Sequence, residues 1–150
     1  MEIKIKKATQ EDSKIVIRFL KELYLELGEE KESIEYLDEE FLSDFFATET
    51  TKIFLAFFNE IQVGIITLTE SQAIYTGGKF GLIDELFVLP EFRSIQIGQK
   101  LLDFIKEIGK QNNWKRIDVT APSDSKFERT VNFYKRNGFV FTGPKLKFKV

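Results

Sequence analysis

The sequence has 150 residues, of which 43% are hydrophobic and 16 are phenylalanine, enough apolar surface for one compact domain spanning residues 1–150. Its 22 basic and 24 acidic residues give a formal charge of −2, which excludes a general electrostatic attraction to nucleic acid or to an anionic membrane. The absence of cysteine and histidine excludes disulfides, thiolate chemistry and imidazole bases, and we predict no metal site. Because we find no signal-peptide core and no apolar run of membrane-spanning length, we expect a cytoplasmic protein.

The first fifty residues predict one strand and two helices. Ile3 and Ile5 alternate with lysines, as in a half-buried strand. From Thr9, a typical N-cap residue, apolar residues recur at helical spacing as far as Gly28, a typical helix stop. A second amphipathic stretch over residues 33–48 predicts another helix, with many acidic residues on its outer face.

The middle of the chain predicts a hairpin, a further strand and a third helix. Residues 52–58 and 61–69 are rich in β-branched and aromatic residues and lie only two residues apart, which is typical of a hairpin. A strand over residues 80–89 ends at Pro90, and an amphipathic helix follows. The predicted buried stripe of that helix is Ile97, Leu101, Leu102, Ile105 and Ile108.

The last third of the chain predicts three more strands and one more helix. A strand covers residues 116–120, a helix covers residues 127–137 and ends at Gly138, and a final pair of strands covers residues 139–150. The whole order, about seven strands and about four helices, predicts an α/β (α+β layered) fold built on one mixed sheet.

A strand that passes through a short basic loop directly into a helix, over residues 85–98, is suited to binding an anion. The loop amides and the first N–H groups of the helix have no intrahelical acceptor, so a phosphate can accept several hydrogen bonds there. Arg93 and Lys100 would add positive charge. The alternative is that Gly98 only allows the helix to pack closely on the sheet.

The same segment is similar to motif A of the GNAT acetyltransferases, in which a strand ends in Val-x-Pro before an Arg/Gln-x-x-Gly-x-Gly/Ala loop and a Leu-rich helix. Six residues match that motif in register: Val88, Pro90, Arg93, Gly98, Leu101 and Leu102. A second stretch, from Phe133 through Tyr134 to Phe139, resembles the Phe/Leu-Tyr-x-x-x-Gly-Phe end of motif B. The resemblance implies a mixed, mostly antiparallel sheet and an N-acetyltransferase that moves an acetyl group from acetyl-CoA to a primary amine by direct attack in a ternary complex.

The resemblance also assigns residues to the cosubstrate. It implies that the backbone of residues 86–88 pairs with the pantetheine arm and that the amides of residues 94–99 hold the pyrophosphate. It makes Tyr134 the general acid that protonates the leaving thiolate; the alternative is a tyrosine that only packs the helix. The implied cofactor-binding residues are Leu86, Phe87, Val88, Arg93, Ser94, Ile95, Gln96, Ile97, Gly98, Gln99 and Lys100.

Two positions depart from the family pattern. Gln96 stands where the family has its first loop glycine, so a side chain lies where the backbone approaches phosphate, and we expect weakened or altered cofactor binding. Phe127 stands seven residues before Tyr134, where the family frequently has Asn, so the cofactor contact of that Asn is not expected here.

Two carboxylates, Asp84 and Glu85, are candidates for the general base because the sequence has no histidine. Adjacent residues in a strand point to opposite faces, so we expect only one of them to point into the site. We favour Glu85, since Leu86 and Val88 belong to the opposite, buried set. The alternative for Glu85 is a solvated or salt-bridged strand acid.

Acidic residues crowd the first two helices and their connection, a region that commonly borders the acceptor site in this superfamily. An acidic rim would concentrate a cationic amine such as a polyamine, an aminoglycoside-like compound or a lysine side chain. The alternative is the solvated face of a surface helix. The residues are Glu26, Glu29, Glu30, Glu32, Glu35, Asp38, Glu39, Glu40 and Asp44, with Tyr24, Tyr36 and Tyr75 as further candidates for lining the pocket.

A function of another class stays open: a non-catalytic module with the GNAT fold that binds acyl-CoA for sensing or interaction, its site eroded at Gln96 and Phe127. The retained Tyr134 argues against that erosion. A P-loop nucleotide binder is disfavoured because no Gly-Lys-Ser/Thr follows the loop. A homodimer that pairs through the Phe-rich C-terminal strands is a further hypothesis.

Overall fold

The computed structural model describes residues 2–122 and 125–150, which form one five-stranded sheet with helices on both faces. The strands are β1 (Ile3–Lys7), β2 (Thr51–Phe58), β3 (Ile61–Ala73), β4 (Gly78–Val88) and β5 (Ile117–Val119). The α-helices are α1 (Ser13–Glu26), α2 (Glu39–Ala47), α3 (Ile97–Gln111) and α4 (Glu128–Arg136). Short 3-10 helices, which were not predicted, lie at Gln10–Asp12, Lys31–Ile34, Pro90–Ile95 and Ser125–Phe127. No helix within these two ranges is long and apolar enough to cross a membrane.

The sheet follows the chain order from β1 to β5. Its neighbouring strands are antiparallel except β4 and β5, which run parallel and pair only between residues 81–83 and 117–119. The prediction of a mixed, mostly antiparallel sheet is confirmed. The predicted hairpin is confirmed as β2 and β3: Asn59 and Glu60, with φ of 48° and 72°, adopt the left-handed conformations of a tight hairpin turn.

Hydrophobic clusters lie on both faces of the sheet. On one face, α3 buries four residues of its predicted stripe at no more than 1% exposure, and α4 contributes Tyr134 to the same cluster. On the other face, Val16, Phe19 and Leu20 of α1 pack against residues of β2, β3 and β4. Each large side chain buried this way stabilises the fold by about 1.5–3 kcal/mol, so both faces hold the sheet in place.

The second helix is shorter than predicted. A 3-10 turn ends at Ile34, and α2 begins only at Glu39. Asp38 is its N-cap: the Asp38 carboxylate accepts a hydrogen bond from the Phe41 N–H at 2.8 Å. An N-cap side chain satisfies one of the free N–H groups of the first turn, which is why the helix starts here and not at the first apolar residue.

The prediction of two terminal strands is wrong, and the sheet in the described residues has five strands instead of about seven. Residues 139–150 contain no strand. Gly143, with φ of 137°, and Pro144, which has no N–H to donate, lie at the predicted turn, but the residues on either side of them do not pair. Apart from Phe139, which is partly buried against Tyr134, the apolar side chains of this segment are exposed; Phe141 and Phe148 are 81% and 89% exposed. A segment with alternating residue types forms a strand only when it pairs with another strand. The neighbouring strand β5 has three residues, so it offers few backbone groups for such pairing.

Gly81 in β4 allows the indole ring of Trp114 to lie directly on the strand. A Cβ at Gly81 would lie 2.3 Å from Cζ3 and 2.5 Å from Cε3 of that ring. The ring cannot easily move, because its Nε1–H donates to Glu70 Oε2 at 2.7 Å. We therefore expect Gly81→Ala to lower the free energy of unfolding by about 1–3 kcal/mol, measured by urea denaturation.

The control for this substitution is a Trp114→Leu background, in which a smaller side chain leaves room for the new methyl group. The cost of Gly81→Ala should be largely lost there, because the two positions interact directly. The same cost in both backgrounds would contradict the assigned contact.

Candidate active site

The end of β4 passes through the 3-10 helix Pro90–Ile95 into α3, in the predicted strand, loop and helix order. Within α3, the Lys100 N–H is bonded to the Gln96 carbonyl at 3.1 Å. The amides of Ile97, Gly98 and Gln99 precede that first bond and have no intrahelical acceptor. Together with the dipole of a 15-residue helix, they make an anion-binding terminus.

Gln96 forms the junction between the loop and α3 in a left-handed conformation, with φ of 68° and ψ of 23°. This is a region that glycine enters freely and that costs other residues about 1–2 kcal/mol. The backbone at Gln96 therefore has a conformation that glycine favours, while the exposed Gln side chain lies beside the free amides.

Gly98 brings α3 and α4 together. A Cβ at Gly98 would lie 3.4 Å from Cζ of Phe133, a partly buried residue of α4. Gly98 therefore allows close packing of the helix, as the alternative interpretation predicted. Its N–H group is also one of the free amides at the start of α3.

Beyond residue 83, the edge of β4 that faces away from β3 has no partner strand among the described residues; this edge is called the open side of β4. The Leu89 N–H donates to the Val63 carbonyl of β3 at 2.8 Å, so by alternation Phe87 also faces β3, whereas Leu86 and Val88 face away from it. On that other side, the described partner strand β5 pairs only with residues 81–83. The N–H groups of Leu86 and Val88 and the carbonyl of Leu86 are therefore directed toward the open side.

Arg93 joins the end of β4 to α1. Its Nε donates to the Val88 carbonyl at 2.8 Å, and its two terminal nitrogens bind both oxygens of the Glu26 carboxylate at 2.7 and 2.9 Å. The guanidinium also lies 5.4 Å from the centre of the Phe87 ring. Its charge is thus paired with Glu26, although such an exposed pair contributes only about 0–1 kcal/mol.

Asp84 and Glu85 point into the same pocket, because β4 contains a β-bulge. Thr67 is opposite Glu85 and Leu68 is opposite Ile83, so Asp84 is an extra residue without a partner in β3. A bulge interrupts the alternation of side chains, and both carboxylates line one pocket. The prediction that they point to opposite faces is wrong for this reason.

Glu85 is the more enclosed of the two carboxylates. Its Oε2 accepts a hydrogen bond from the Tyr24 hydroxyl at 2.7 Å, and its Oε1 accepts one from the Thr67 hydroxyl. Burial raises the pKa of Glu85, the negative charge of Asp84 adds to the rise, and the two hydrogen bonds oppose it. Burial and the same carboxylate also raise the pKa of the Tyr24 phenol, which therefore stays protonated as a donor.

Asp84 lies nearer to solvent and is held by β3. Its Oδ2 accepts a hydrogen bond from the Thr69 hydroxyl at 2.5 Å. Partial burial raises the pKa of Asp84, whereas the Thr69 hydrogen bond and the charge of Lys145 act in the opposite direction.

The pocket that contains both carboxylates lies between α1, α2 and the sheet, and its volume is about 340 Å³. Of the predicted tyrosines, Tyr24 and Tyr36 line it, whereas Tyr75 lies in the turn after β3, with its ring stacked under Arg116. None of the nine acidic residues of the first two helices lines it. The lining residues are Leu20, Tyr24, Tyr36, Leu37, Phe41, Leu42, Phe45, Thr51, Ile53, Thr67, Thr69, Asp84 and Glu85.

Tyr134 lies on the other face of the sheet, in the cluster formed by α3 and α4. Its ring packs between Phe133 and Phe139, with centroid distances of 5.4 and 5.5 Å. Burial raises the pKa of Tyr134 to about 12, so the phenol carries its proton at neutral pH. Within residues 2–122 and 125–150, its hydroxyl has no hydrogen-bond partner.

Thr67 and Thr69 are site residues that the sequence analysis missed. Two hydroxyl side chains at alternate positions of the otherwise apolar stretch 63–69 were the available signal, because alternate residues share a face. Phe127, the other departure from the family pattern, is the residue before α4, with the Lys126 ammonium 5.1 Å from its ring centre.

Several solved structures share this fold. An aminoglycoside acetyltransferase from an uncultured soil metagenomic sample aligns with a TM-score of 0.84 and 16% identity over 100% of this chain and 99% of that one. The ribosomal-protein-alanine N-acetyltransferase from Brucella melitensis biovar Abortus 2308 aligns with a TM-score of 0.80 and 15% identity over 100% of both chains. A predicted acetyltransferase from Clostridium acetobutylicum, solved with acetyl-CoA, aligns with a TM-score of 0.79 and 19% identity over 99% and 96% of the two chains.

At these identities the structural likeness establishes the fold. A family model provides the independent assignment: the acetyltransferase (GNAT) domain matches residues 49–141, more than half of the chain. That range contains β2 to α4, and therefore the open side of β4, the start of α3 and Tyr134. The chain belongs to the GNAT acetyltransferase family.

Proposed function

We propose that this protein is an N-acetyltransferase that moves the acetyl group of acetyl-CoA to a primary amine by direct attack in a ternary complex. The observation that carries the proposal is the open side of β4. The open side leads to the free amides of α3. Glu85 lies on one face of the sheet, and Tyr134 lies on the other face. A ligand that lies along this open side has access to an anion site, a base and an acid.

The chain's own groups suit the two polar parts of acetyl-CoA. The N–H groups of Leu86 and Val88 and the carbonyl of Leu86, which face away from β3, would pair with the pantetheine amides, whereas the backbone groups of Phe87 face β3. The amides of Ile97, Gly98 and Gln99 would bind the pyrophosphate. Because Arg93 is paired with Glu26, we assign it to holding the end of β4 and α1 together and not to the phosphates.

Glu85 and Tyr134 would carry the two proton transfers. Glu85 would take a proton from the ammonium form of the acceptor, and its raised pKa makes it a better match for that proton than an ordinary carboxylate. The amine nitrogen then forms a bond to the acetyl carbon while the carbon–sulfur bond breaks, and an N–H of the open side of β4 would stabilise the developing oxyanion. Tyr134 would give its proton to the leaving thiolate, the acetylated nitrogen would lose its second proton to solvent, and the Tyr134 phenolate would take a proton back from solvent.

Gln96 provides a test of the cofactor loop. We expect Gln96→Gly to lower the dissociation constant of CoA by roughly 3- to 10-fold, about the contribution of one hydrogen bond, because the amides beside it become fully accessible. Stability should change little, since the relief of left-handed strain is offset by the greater freedom of glycine in the unfolded chain. Isothermal titration with CoA and a thermal melt measure the two effects.

Gln96→Ala is the matched control, because it shortens the side chain but keeps a Cβ at a left-handed position. It should improve binding less than Gln96→Gly does. Equal or weaker CoA binding by the glycine variant would contradict the role given to this loop.

The proposed function itself is tested by titrating acetyl-CoA and then following thiol release with a panel of amines. Binding together with amine-dependent release is the expected result. Tight binding without release for any amine would favour the non-catalytic sensing module, for which Gln96 in the loop is the supporting observation. Failure to bind CoA would contradict both functions.

A further inference from the structure

The pocket between α1, α2 and the sheet has a polar end and an apolar body. The polar end consists of Asp84 and Glu85 with their hydroxyl partners, which are Thr67 and Thr69 on β3 and Tyr24 on α1. The body is formed by aliphatic side chains of α1, α2, β2 and the connection before α2, and by the three aromatic rings other than that of Tyr24. Those rings are called the aromatic wall: Tyr36, Phe41 and Phe45.

The aromatic wall is continuous and half-exposed. The rings of Tyr36 and Phe41 lie 5.0 Å apart, nearly edge to face, and those of Phe41 and Phe45 lie 5.2 Å apart. They remain 52%, 39% and 37% exposed, although they stand beside a cavity. Adjacent exposed rings at a concave site are typical of a surface that an apolar ligand covers.

Charge is confined to one end of the pocket. Among the lining residues, Asp84 and Glu85 are the ionisable acids, and no acidic residue of the first two helices joins them. An ammonium group at the polar end would be attracted by both carboxylates. A second ammonium group farther along would lose water against Leu37, Leu42 and the aromatic wall without a carboxylate to replace it.

We infer that the acceptor is a small primary amine with a single positive charge on an aromatic or branched aliphatic body; this inference rests on the proposed function. The amine lies at the polar end, near Glu85, and the body lies along the aromatic wall. The volume of about 340 Å³ fits a small acceptor, since it is at the lower end of ligand pockets, which span about 300–1,000 Å³. The pocket thereby disfavours polyamines and aminoglycosides, whose charges are distributed over the whole molecule.

The test compares steady-state acetylation of phenylethylamine and isoamylamine with that of spermidine and kanamycin. We expect kcat/KM for the two monoamines to exceed that for the two polycations by about 10-fold or more. Preference for either polycation would overturn the inference while leaving the proposed function intact. Acetylation of none of the four, together with no acetyl-CoA binding, would instead show that the proposed function itself is wrong, and the inference with it.

Phe41→Ala locates the effect at the aromatic wall. We expect it to raise KM for phenylethylamine by about 10-fold and to change KM for ethylamine, which has no body to cover the ring, by less than about 2-fold. Phe41 is partly exposed, so the variant should fold, and a thermal melt confirms it. Tyr75→Ala is the matched control, an exposed aromatic residue outside the pocket, and should leave both values unchanged. An equal rise for both amines, or no rise, would overturn the assignment.

Discussion

Replacing Glu85 by glutamine is expected to lower kcat/KM for amine acetylation by about 10²–10⁴-fold, the usual contribution of a general base. The amide keeps the size of the carboxylate and can still bond to Thr67 and Tyr24, so the loss reports the missing base. In the wild type, activity should rise with pH through the raised pKa of Glu85, because the carboxylate form accepts the proton. This rise in activity at low pH, the acid limb of the pH profile, should be absent from the profile of Glu85→Gln.

The same substitution should stabilise the fold at neutral pH. Since the folded-state pKa of Glu85 is raised, its contribution to stability is fully present below its pKa in the unfolded chain and is lost as pH rises through the folded-state value. At pH values above the folded-state pKa, the wild type keeps a buried charge that Gln lacks, so Glu85→Gln should have the higher Tm at pH 7. At pH values below the unfolded-state pKa, Glu85 is protonated in both states, so the Tm values of the two proteins should converge.

Two variants control this prediction. Tyr24→Phe removes one of the hydrogen bonds that lower the pKa of Glu85, so the acid limb should move to higher pH without disappearing. Asp84→Asn removes a neighbouring negative charge that raises that pKa, so the limb should move the other way. If Asp84→Asn abolishes the limb and Glu85→Gln preserves it, the base is Asp84.

Replacing Tyr134 by phenylalanine is expected to lower kcat by at least about 100-fold while leaving the dissociation constant of acetyl-CoA unchanged. Burial keeps the phenol protonated, so the hydroxyl is available as a proton donor at neutral pH. The ring packs between Phe133 and Phe139, contacts that phenylalanine retains. The variant should therefore keep the wild-type Tm, and stopped-flow or steady-state kinetics isolate the chemical step.

A second readout separates an acid from a packing residue. A better leaving group needs less protonation, so an acyl-thioester with a more acidic thiol should restore part of the activity of Tyr134→Phe. Wild-type kcat in the variant, or a loss explained by weaker acetyl-CoA binding, would contradict the role of this tyrosine.

Local pattern was sufficient for much of the fold. The stripe from Ile97 to Ile105 predicted α3 and its buried face, and two residues between apolar runs predicted the β2–β3 hairpin, because periodicity and turn length are properties of neighbouring residues. The order of β4, loop and α3 followed from the sequence for the same reason.

The site depends on contacts that local pattern does not contain. The bulge at Asp84 is a property of the register between β3 and β4, so alternation within β4 alone gave the wrong face. The pairing of Arg93 with Glu26 joins residues 67 positions apart. The terminal residues alternate like a strand but have no partner in the described structure, and strand formation needs one.

The acetylated product tests the central claim most directly. Wild-type protein is mixed with acetyl-CoA and phenylethylamine, and N-acetyl amine and free CoA are both quantified by mass spectrometry over time. Equal amounts of the two products, formed only with enzyme and much more slowly with Glu85→Gln or Tyr134→Phe, are the predicted result. Saturable acetyl-CoA binding with no acetylated amine from this or any other primary amine would contradict the account.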